Sequence, residues 1–558
     1  MLRRLAAAAV AAGACFSLAA VPAFAAVTPI THSAPDAAIS LSVAGTHETG
    51  VFGKSAAEIV GWYAKNQRLF VVNAAAGQVD VLDASKAGDP TKLFDIDTTG
   101  VKSEDGSVIP AGAVANSVAI RPDGLGVIAV EAPVKTDNGW VVFFDANANQ
   151  AKPLGAVRVG ALPDMITFTP DGKQILVANE AEPAEDYSVD PEGSISVIKA
   201  PPQIRAGKQN QVKTAGFGAF EGKLPVFDSR AGADATGVRI FGPEGTDAQN
   251  LEPEYITVDA KSKKAYVTLQ ENNAIAVVNL DQARVERIFP LGVQDLATVA
   301  MDVSDRDGKI NIKNWPGVKS FLLPDAIASY EVGGKTYLVT ANEGDARDWA
   351  TFSEEARVKD LGKNGLKPVC ETSPAYGHLK DPELGRLTIT TTAGLNADGT
   401  CYEELYAFGG RSFSIFDTNG NRVFDSGSQF EEVTAAAIPE FFNSNHEENA
   451  FDNRSDNKGP EPEGIAVGQV DGRTYAFIGF ERIGGVIAYD ITDPKNAKFV
   501  TYINNRDFTQ DPESAAAGDL GPEGVTFIPA SESPTGKAMV AVGNEVSGTT
   551  TLFEVSAR

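Results

Sequence analysis

Acidic side chains recur at two kinds of position along the chain, and their spacing suggests one shared site. The first kind opens a short β-rich run, often directly after proline, as in Pro462-Glu463-Gly464 and Pro522-Glu523-Gly524. The second kind closes the β-rich run that follows, as in Ala178-Asn179-Glu180. The first positions are Glu58, Asn116, Asp164, Glu254, Asp325, Glu463 and Glu523, and the second are Asn73, Glu131, Glu180, Glu271, Glu343, Glu481 and Glu545. Twelve of these fourteen side chains are carboxylates.

Converging carboxylates repel one another, which raises their pKa values unless a cation lies among them. Calcium accepts six to eight oxygen ligands in flexible geometry, so it suits a wide ring better than magnesium does. We therefore expect a site for divalent cations, calcium first and another divalent metal as the alternative. Its expected ligands are Glu58, Asp164, Glu180, Glu254, Glu271, Asp325, Glu343, Glu463, Glu481, Glu523 and Glu545. At any single position, the competing interpretation is an acid that satisfies loop amides or pairs with an arginine.

Basic residues lie close to the same acids in sequence. Arg347 follows Asn342-Glu343-Gly344-Asp345, and Arg454 precedes Glu463. One interpretation is that they neutralise the acids. The other is that a guanidinium beside a divalent cation binds phosphate or a phosphoester, which makes a metal-dependent phosphoesterase the alternative function. Arg347, Arg454 and His446 are then the candidate catalytic residues, because the sequence contains neither a Gly-x-Ser-x-Gly elbow nor a Walker loop.

A separate acidic turn comprises Asp302, Asp305 and Asp307. It resembles a calcium loop but departs from the EF-hand pattern, because its glycine comes too early and Pro316 stands where the closing glutamate belongs. We interpret it as a turn with the composition to hold an ion.

The elements that must position these acids repeat seven times. Each unit consists of two β-rich runs around a turn such as Asp123-Gly124, Gly333-Gly334 or Asp471-Gly472, and a third run usually follows. Because the strands of a hairpin are antiparallel, both acidic positions of a unit fall at the same end of its sheet. Seven such sheets without helical crossovers predict an all-β, seven-bladed β-propeller. The run Ile39–Val43 lacks a partner near it and is expected to close the ring in the last blade.

The chain is long for seven blades, and we expect the surplus in insertions at about 201–250, 350–404 and 425–460, which read as loops and lids. Residues 26–558 are then a single domain. Among the cysteines, Cys370 and Cys401 fall within one insertion and are expected to form a disulfide bond.

Composition limits the location and the partners. Residues 1–25 have the charged start, apolar stretch and Ala-Phe-Ala ending of an export signal, cleaved between Ala25 and Ala26. No later stretch has the length of a transmembrane segment, and the chain ends without an apolar tail, so we expect a soluble, periplasmic or secreted protein. Its 74 acidic against 48 basic residues give a formal net charge of -26, which excludes nucleic acid and anionic membranes as favoured partners.

Two long motifs resemble those of a known family. They are Leu323–Ala328 with Leu338–Arg347, and Phe451–Gly464 with Tyr475–Gly485 after it. Both resemble the choice-of-anchor I family, which is similar to mesenchyme-specific cell surface glycoproteins linked to biomineralisation. The resemblance implies a YVTN/WD40-like propeller that is exported and often surface-attached, and some members are labelled alkaline phosphatase. It assigns no catalytic residues.

Overall fold

A computed structural model of the chain describes residues 27–234, 236–243 and 245–558. Within them, seven antiparallel sheets of at least four strands follow one another, and the first strand of each contacts the first strands of both neighbouring sheets. These contacts form a closed circle, so the predicted seven-bladed β-propeller is confirmed. The expected export signal lies outside the described residues. No helix in the described part of the chain has the length and apolar character needed to cross a bilayer.

The blades are numbered in chain order, and each is given from its inner to its outer strand. Blade 1 comprises Val60–Tyr63, Arg68–Asn73, Gln78–Asp83 and Thr91–Asp97; blade 2, Val114–Ile120, Leu125–Glu131, Asn138–Asp145 and Pro153–Ala161; blade 3, Pro163–Phe168, Gln174–Asn179, Ser194–Lys199 and Val212–Gly216. Blade 4 comprises Pro253–Val258, Lys264–Leu269, Ala274–Asn279 and Arg284–Pro290; blade 5, Ile327–Val332, Lys335–Asn342, Ser412–Asp417 and Arg422–Asp425. Blade 6 comprises Pro462–Val470, Arg473–Phe480, Val486–Asp490, Lys498–Asn504 and Ile30–Ser33; blade 7, Pro522–Ile528, Ala538–Asn544, Thr549–Ala557 and Ile39–Glu48.

The N-terminal part of the described chain closes the ring. Ile39–Glu48 pairs antiparallel with the last strand of blade 7, with Leu41 opposite Val555, as the sequence predicted. The preceding strand, Ile30–Ser33, adds a fifth strand to blade 6. One segment therefore covers the outer edges of two adjacent blades, which removes unpaired backbone groups from the surface.

The inner hairpins form where the sequence places turn residues. In blade 6, Val470 pairs with Arg473, which leaves a two-residue loop of Asp471 and Gly472. Both loop residues have positive φ, 48° and 78°. Left-handed conformation at both central residues matches the twist of the flanking strands. Glycine is therefore required at the second position, where a side chain would be strained.

The core lies between the faces of neighbouring blades. Blades 5 and 6, for example, enclose Phe413, Phe430, Phe480 and Tyr489, with Phe430 contributed by the helix Gln429–Ala437. Because both faces of a blade are covered, its middle strands consist of nearly continuous apolar runs rather than alternating ones.

The segments expected to be loops contain regular structure. Val212–Gly216, the outer strand of blade 3, lies in 201–250, and the helix Gln429–Ala437 lies in 425–460. A further five-stranded sheet joins Val293–Asp295, Val318–Phe321, Leu405–Ala407, Thr388–Thr390 and Glu355–Arg357, and a two-stranded sheet joins Asp348–Trp349 and Phe352–Ser353. Strands of two to four residues carry too short a pattern to be recognised by hydrophobic periodicity.

The remaining described elements are short helices. They are the α-helix Asp247–Asn250, the π-type turn Asp381–Gly385, and the 3-10 turns Ala64–Asn66, Ala74–Ala76, Gln209–Gln211, Gly218–Phe220, Ser229–Asp234, Val358–Asp360, Pro374–His378, Pro439–Phe441 and Ala515–Ala517.

The expected disulfide joins Cys370 to Cys401 across a sequence separation of 31 residues. We expect the Cys370→Ser/Cys401→Ser double variant to lose roughly 3–4 kcal/mol of stability, because the open chain gains loop entropy when this segment unfolds. Urea unfolding measures the loss. A reductant serves as the control, since it must destabilise the wild-type protein and leave the double variant unchanged. Equal unfolding midpoints for both proteins would contradict the prediction.

Candidate functional site

The first acidic positions line the central channel at one end. Glu58, Asn116, Asp164, Asp325 and Glu523 surround a cavity of about 120 Å³. The cavity wall continues into Ile59, Met165 and Tyr255, the residues that directly follow three of the first acidic positions. The inner hairpins of five blades therefore deliver polar side chains to a single chamber.

A backbone irregularity aims these side chains. The register of the inner hairpin shifts between Pro163 and Ile166 in blade 3, and corresponding shifts occur in blades 2, 4, 6 and 7. Asp164 lies within this β-bulge, and Asn116, Glu254, Glu463 and Glu523 lie in the corresponding bulges. Bulges release a side chain from the normal alternation of a strand. The acids therefore turn into the channel while the residues after them remain in the sheet.

In three blades, a left-handed residue other than glycine precedes the proline, and Gly521 takes this position in blade 7. Leu162, Leu323 and Glu461 have φ values of 42°, 47° and 52°. A non-glycine residue rarely adopts this conformation, and it is retained only where surrounding contacts fix it. The turn brings the chain sharply into the inner strand, so the acid two residues later stands at the channel rim.

Carboxyl groups at this rim hold protons more tightly than usual. Burial, followed by the charge of Glu545, raises the pKa of Glu58 to about 8. Burial also raises the pKa of Asp164 to about 7, with Glu182 and Glu131 adding to the effect. The pKa values of Glu254, Asp325, Glu463 and Glu523 are raised well above the usual range, first by burial and then by neighbouring carboxylates.

The second acidic positions reach the same end of the propeller. Glu180, Glu343, Glu481 and Glu545 directly follow the second strands of their blades, and Glu271 follows one residue later. Burial and then Glu182 and Asp164 raise the pKa of Glu180, which links the two sets of acids. Glu131 accepts a hydrogen bond of 3.2 Å from Asn116.

Asn73 does not occupy the structural position of the other residues in the second set. It is the last residue of its strand, and its amide nitrogen lies 3.2 Å from the Asp80 carboxylate on the next strand. Asn179, Asn342 and Asn544 end the corresponding strands, and their amides also donate to the third strand. Asn73 therefore matches the residue before the acid in other blades, where it ties strands together.

The acidic end of the channel is called the mouth from here on. In one sector of the mouth, the basic sector, lysine and arginine side chains neutralise the carboxylates. It consists of Glu343, Glu461, Glu481, Lys458, Arg454 and Arg482. The Lys458 ammonium lies 2.6 Å from Glu343 and 3.1 Å from Glu461. Arg482 contacts Glu461 and Glu481, each at 3.0 Å, and Arg454 also contacts Glu461.

Carboxylate oxygens of Glu343, Glu461 and Glu481 lie within 4.8 Å of one another, close enough for one metal ion to contact all three. The Lys458 ammonium, however, already bridges two of them. Burial opposes ionisation of Glu461, but Lys458 and Arg454 outweigh it and hold the pKa of Glu461 far below its usual range. The basic sector is therefore an ion-pair network rather than the best position for a cation.

His446 lies beside this network. Its side chain is buried, with Nδ1 3.4 Å from Glu481 and Nε2 2.9 Å from Arg482. Burial, followed by the charge of Arg482, lowers the pKa of His446 to about 3. The imidazole is therefore neutral at physiological pH.

Arg347 is fully engaged in a different contact. Its guanidinium donates to the Glu252 carboxylate at 2.8 and 3.2 Å, to the side chain and carbonyl of Asn250, and to the Phe241 carbonyl. These contacts use all five N–H groups of the arginine. Arg347 therefore holds residues 241–252, the segment that leads into blade 4, and has no N–H group left to bind a phosphate.

The neighbouring sector, the acid sector, contains Asp164 and Glu180 of blade 3 and Glu254 and Glu271 of blade 4. None of the four forms an ion pair among the described residues, and Glu254 Oε2 and Glu271 Oε2 lack a hydrogen-bond partner there. Across the whole mouth, nine of the eleven expected ligands have no ion pair within the described chain; only Glu343 and Glu481 do. The negative charge of the mouth is thus concentrated away from its arginines and lysine.

Sequence reasoning missed two buried acids that precede the channel acids in the chain. Glu252 and Glu461 both stand two residues before a channel acid, in the repeated pattern Glu-Pro-Glu. Each is almost fully buried and pairs with arginine, Glu252 with Arg347 and Glu461 with Arg454. The repeated tripeptide was the available signal.

Fold and site together define a seven-bladed β-propeller with an acidic channel end. Sequence comparison specifies the family: the chain belongs to the choice-of-anchor I domain family, whose model matches residues 58–494. It is 31% identical over 284 residues to the mesenchyme-specific cell surface glycoprotein of Strongylocentrotus purpuratus, covering 45% of this chain and 36% of that protein. It is 32% identical over 198 residues to Gigasin-3a of Magallana gigas, covering 33% of this chain and 67% of that protein.

The chain thus spans about a third of the length of the sea-urchin relative. Among solved structures it is similar to hydrazine synthase of Kuenenia stuttgartiensis, with a TM-score of 0.42, 14% identity, and coverage of 91% of this chain and 97% of that one. The propeller assignment rests on the strand pairing described above.

Proposed function

We propose that this protein is an extracytoplasmic, surface-associated binding module that holds a divalent cation, calcium first, in its channel mouth. The observation that carries the proposal is the convergence of nine carboxylates that have no ion pair within the described chain. The basic sector pairs with Glu343, Asp345, Glu461 and Glu481, none of which belongs to the acid sector. We therefore place the cation against the acid sector, at Asp164, Glu180, Glu254 and Glu271.

Physical chemistry favours a cation there. A buried carboxylate without a partner costs several kcal/mol when it ionises, so the group either binds a proton or attracts a positive charge. The first outcome corresponds to the raised pKa values of Glu58 and Asp164, which have burial as their main cause. Calcium supplies the second outcome, because it accepts many oxygen ligands at variable geometry and keeps water in the remaining positions.

The proposed location rests on three observations. The first relative is described as a cell surface glycoprotein, and the sequence begins with the pattern of an export signal. The Cys370–Cys401 bond is of the kind that persists in oxidising compartments.

A metal-dependent phosphoesterase is the alternative function. Arg482 and His446 line a cavity of about 680 Å³ beside the mouth, together with Ser55 and Glu545. This alternative loses one of its expected phosphate ligands, since the N–H groups of Arg347 are all engaged. Arg454 and His446 remain as its candidate residues.

Calcium titration of two variants tests the proposal. We expect Glu254→Gln/Glu271→Gln to weaken calcium binding about a hundredfold, because each of the two changes removes a ligand charge worth about 1.4 kcal/mol. Isothermal titration calorimetry on calcium-free protein measures the affinity. The matched control is Glu481→Gln, which lies in the same mouth but pairs with Arg482, and we expect less than about a threefold change.

Elemental analysis of the purified wild-type protein provides the second measurement. Wild-type protein that binds no calcium, or equal weakening in the control and the double variant, would overturn the proposal. Calcium-dependent release of phosphate from an aryl phosphate, lost in Arg454→Ala, would support the phosphoesterase instead.

A further inference from the structure

A second group of buried carboxylates lies outside the channel mouth. Here the acidic turn that begins at Asp302 meets the helix Gln429–Ala437 and the segment 443–455. Asp302, Glu431 and Asp452 are each no more than 1% exposed. The Asp302 N–H donates to Glu431 at 3.0 Å, and the Asn443 amide donates to the other oxygen of Glu431 at 2.9 Å. Three separate parts of the chain therefore meet around these acids.

Two oxygens in this group have no partner among the described residues. They are Oδ2 of Asp452 and Oδ1 of Asn443, both on side chains at least 99% buried. The two side chains share Ser455, whose hydroxyl donates to Asp452 at 2.5 Å and accepts from Asn443 at 2.8 Å. Two unpaired acceptors thus lie on adjacent side chains in a region closed to bulk water. A buried acceptor without a partner is costly and calls for an unseen donor or a cation.

The charges in this group do not balance. Arg411 donates to Glu431 at 2.6 Å, and its other contacts go to the carbonyls of Asp302, Ser455 and Asn457. Neither Asp302 nor Asp452 forms an ion pair within the described chain. One guanidinium therefore faces three carboxylates.

The acidic turn brings further oxygen atoms to the same place. Asp302 Oδ2 accepts the Asn311 N–H at 2.6 Å, and Asp307 accepts the Asn311 side chain at 2.7 Å, so the turn folds back on itself. Burial is the main cause that raises the pKa of Asp452 to about 8; Ser455 opposes the shift, and the charges of Asp302 and Asp307 add to it. Asp305 is not available to this group, because it pairs with Arg386 at 2.9 Å.

We infer that a second calcium ion binds here, between the carboxylates of Asp302 and Asp452 and the amide oxygen of Asn443. Carboxylate and amide oxygens are ligands that calcium accepts in flexible geometry. The ion neutralises the excess charge and joins the acidic turn to the segment 443–455. This segment continues to Lys458 in the basic sector, so the second ion supports the base of the mouth. The inference is independent of the cation proposed for the acid sector.

Terbium luminescence tests this site on the full-length mature protein. Terbium replaces calcium and emits when a nearby indole absorbs light. The Trp315 indole donates to the Met301 carbonyl at 2.9 Å, directly beside Asp302. We expect terbium emission that Trp315→Phe reduces, that Asp452→Asn abolishes for the same component, and that calcium displaces. Glu254→Gln, which alters the acid sector, should leave that component unchanged.

The competing explanation is a proton on Asp452, which would satisfy the Asn443 oxygen directly. Asparagine resembles a protonated aspartate, so Asp452→Asn would then leave terbium emission and calcium stoichiometry unchanged. That result overturns the inference, as does emission that is unaffected by Trp315→Phe. If Asp452→Asn does not fold, Asp302→Asn decides the question through its calcium content: one bound calcium fewer than in the wild-type protein supports the site, and an unchanged calcium content overturns it.

Discussion

Glu461→Gln is expected to lower the free energy of unfolding by about 3 kcal/mol. Glu461 is fully buried and forms ion pairs with Lys458, Arg454 and Arg482 at the same time. A neutral glutamine leaves these cations without their shared anion, and breaking a buried pair in this way costs about 3–5 kcal/mol. The lower end applies because Arg454 and Arg482 are partly exposed at the mouth. Urea unfolding followed by circular dichroism measures the change.

The matched control for Glu461→Gln is Asp281→Asn, which breaks the exposed pair between Asp281 and Lys263 at 3.0 Å. Solvent screens this pair, so we expect a change below about 1 kcal/mol. Comparable losses in both variants would show that position in the mouth is irrelevant. Stabilisation by Glu461→Gln would show that repulsion from Glu343 and Glu481 dominates the network.

The fold was predictable because its information is local. A hairpin turn such as Asp471-Gly472 fixes the register of two strands without any knowledge of the rest of the chain. Repetition of that unit, together with the unpartnered run Ile39–Val43, was sufficient to predict the propeller and its closure. The additional five-stranded sheet was missed, since its strands pair across distant segments and Val318–Phe321 even runs parallel to Leu405–Ala407.

The site was predictable in outline but not in its division into sectors. Antiparallel pairing determines which end of a blade a residue occupies, so the convergence of the acids follows from the hairpins. Which acids are neutralised depends on where long loops deliver Arg454 and Lys458, and loop paths leave no periodic pattern in a sequence. Arg347 illustrates the difficulty, because only the path of residues 241–252 shows that its guanidinium is enclosed.

The cation-free protein is expected to lose stability as the pH rises from about 4.5 to about 8. Folding raises the pKa of Glu58 from 4.5 to about 8 and that of Asp164 from 3.8 to about 7. Between these limits the folded protein holds protons that the unfolded chain releases, so each increase in pH favours the unfolded state. Thermal unfolding in a chelator at about pH 5 and about pH 8 measures the effect, and the melting temperature should be higher at the lower pH.

Calcium should reverse this trend, because it competes with protons for the same oxygens and binds best where the carboxylates are ionised. At about 100 times its Kd, calcium adds about 2.7 kcal/mol to the free energy of unfolding at pH 8, and it adds much less at pH 5. Glu58→Gln/Asp164→Asn is the control, since it removes two of the titrating groups and should flatten the pH dependence. A calcium effect of equal size at both pH values would place the ion away from these carboxylates, because ligands that hold protons at pH 5 cannot bind it equally well.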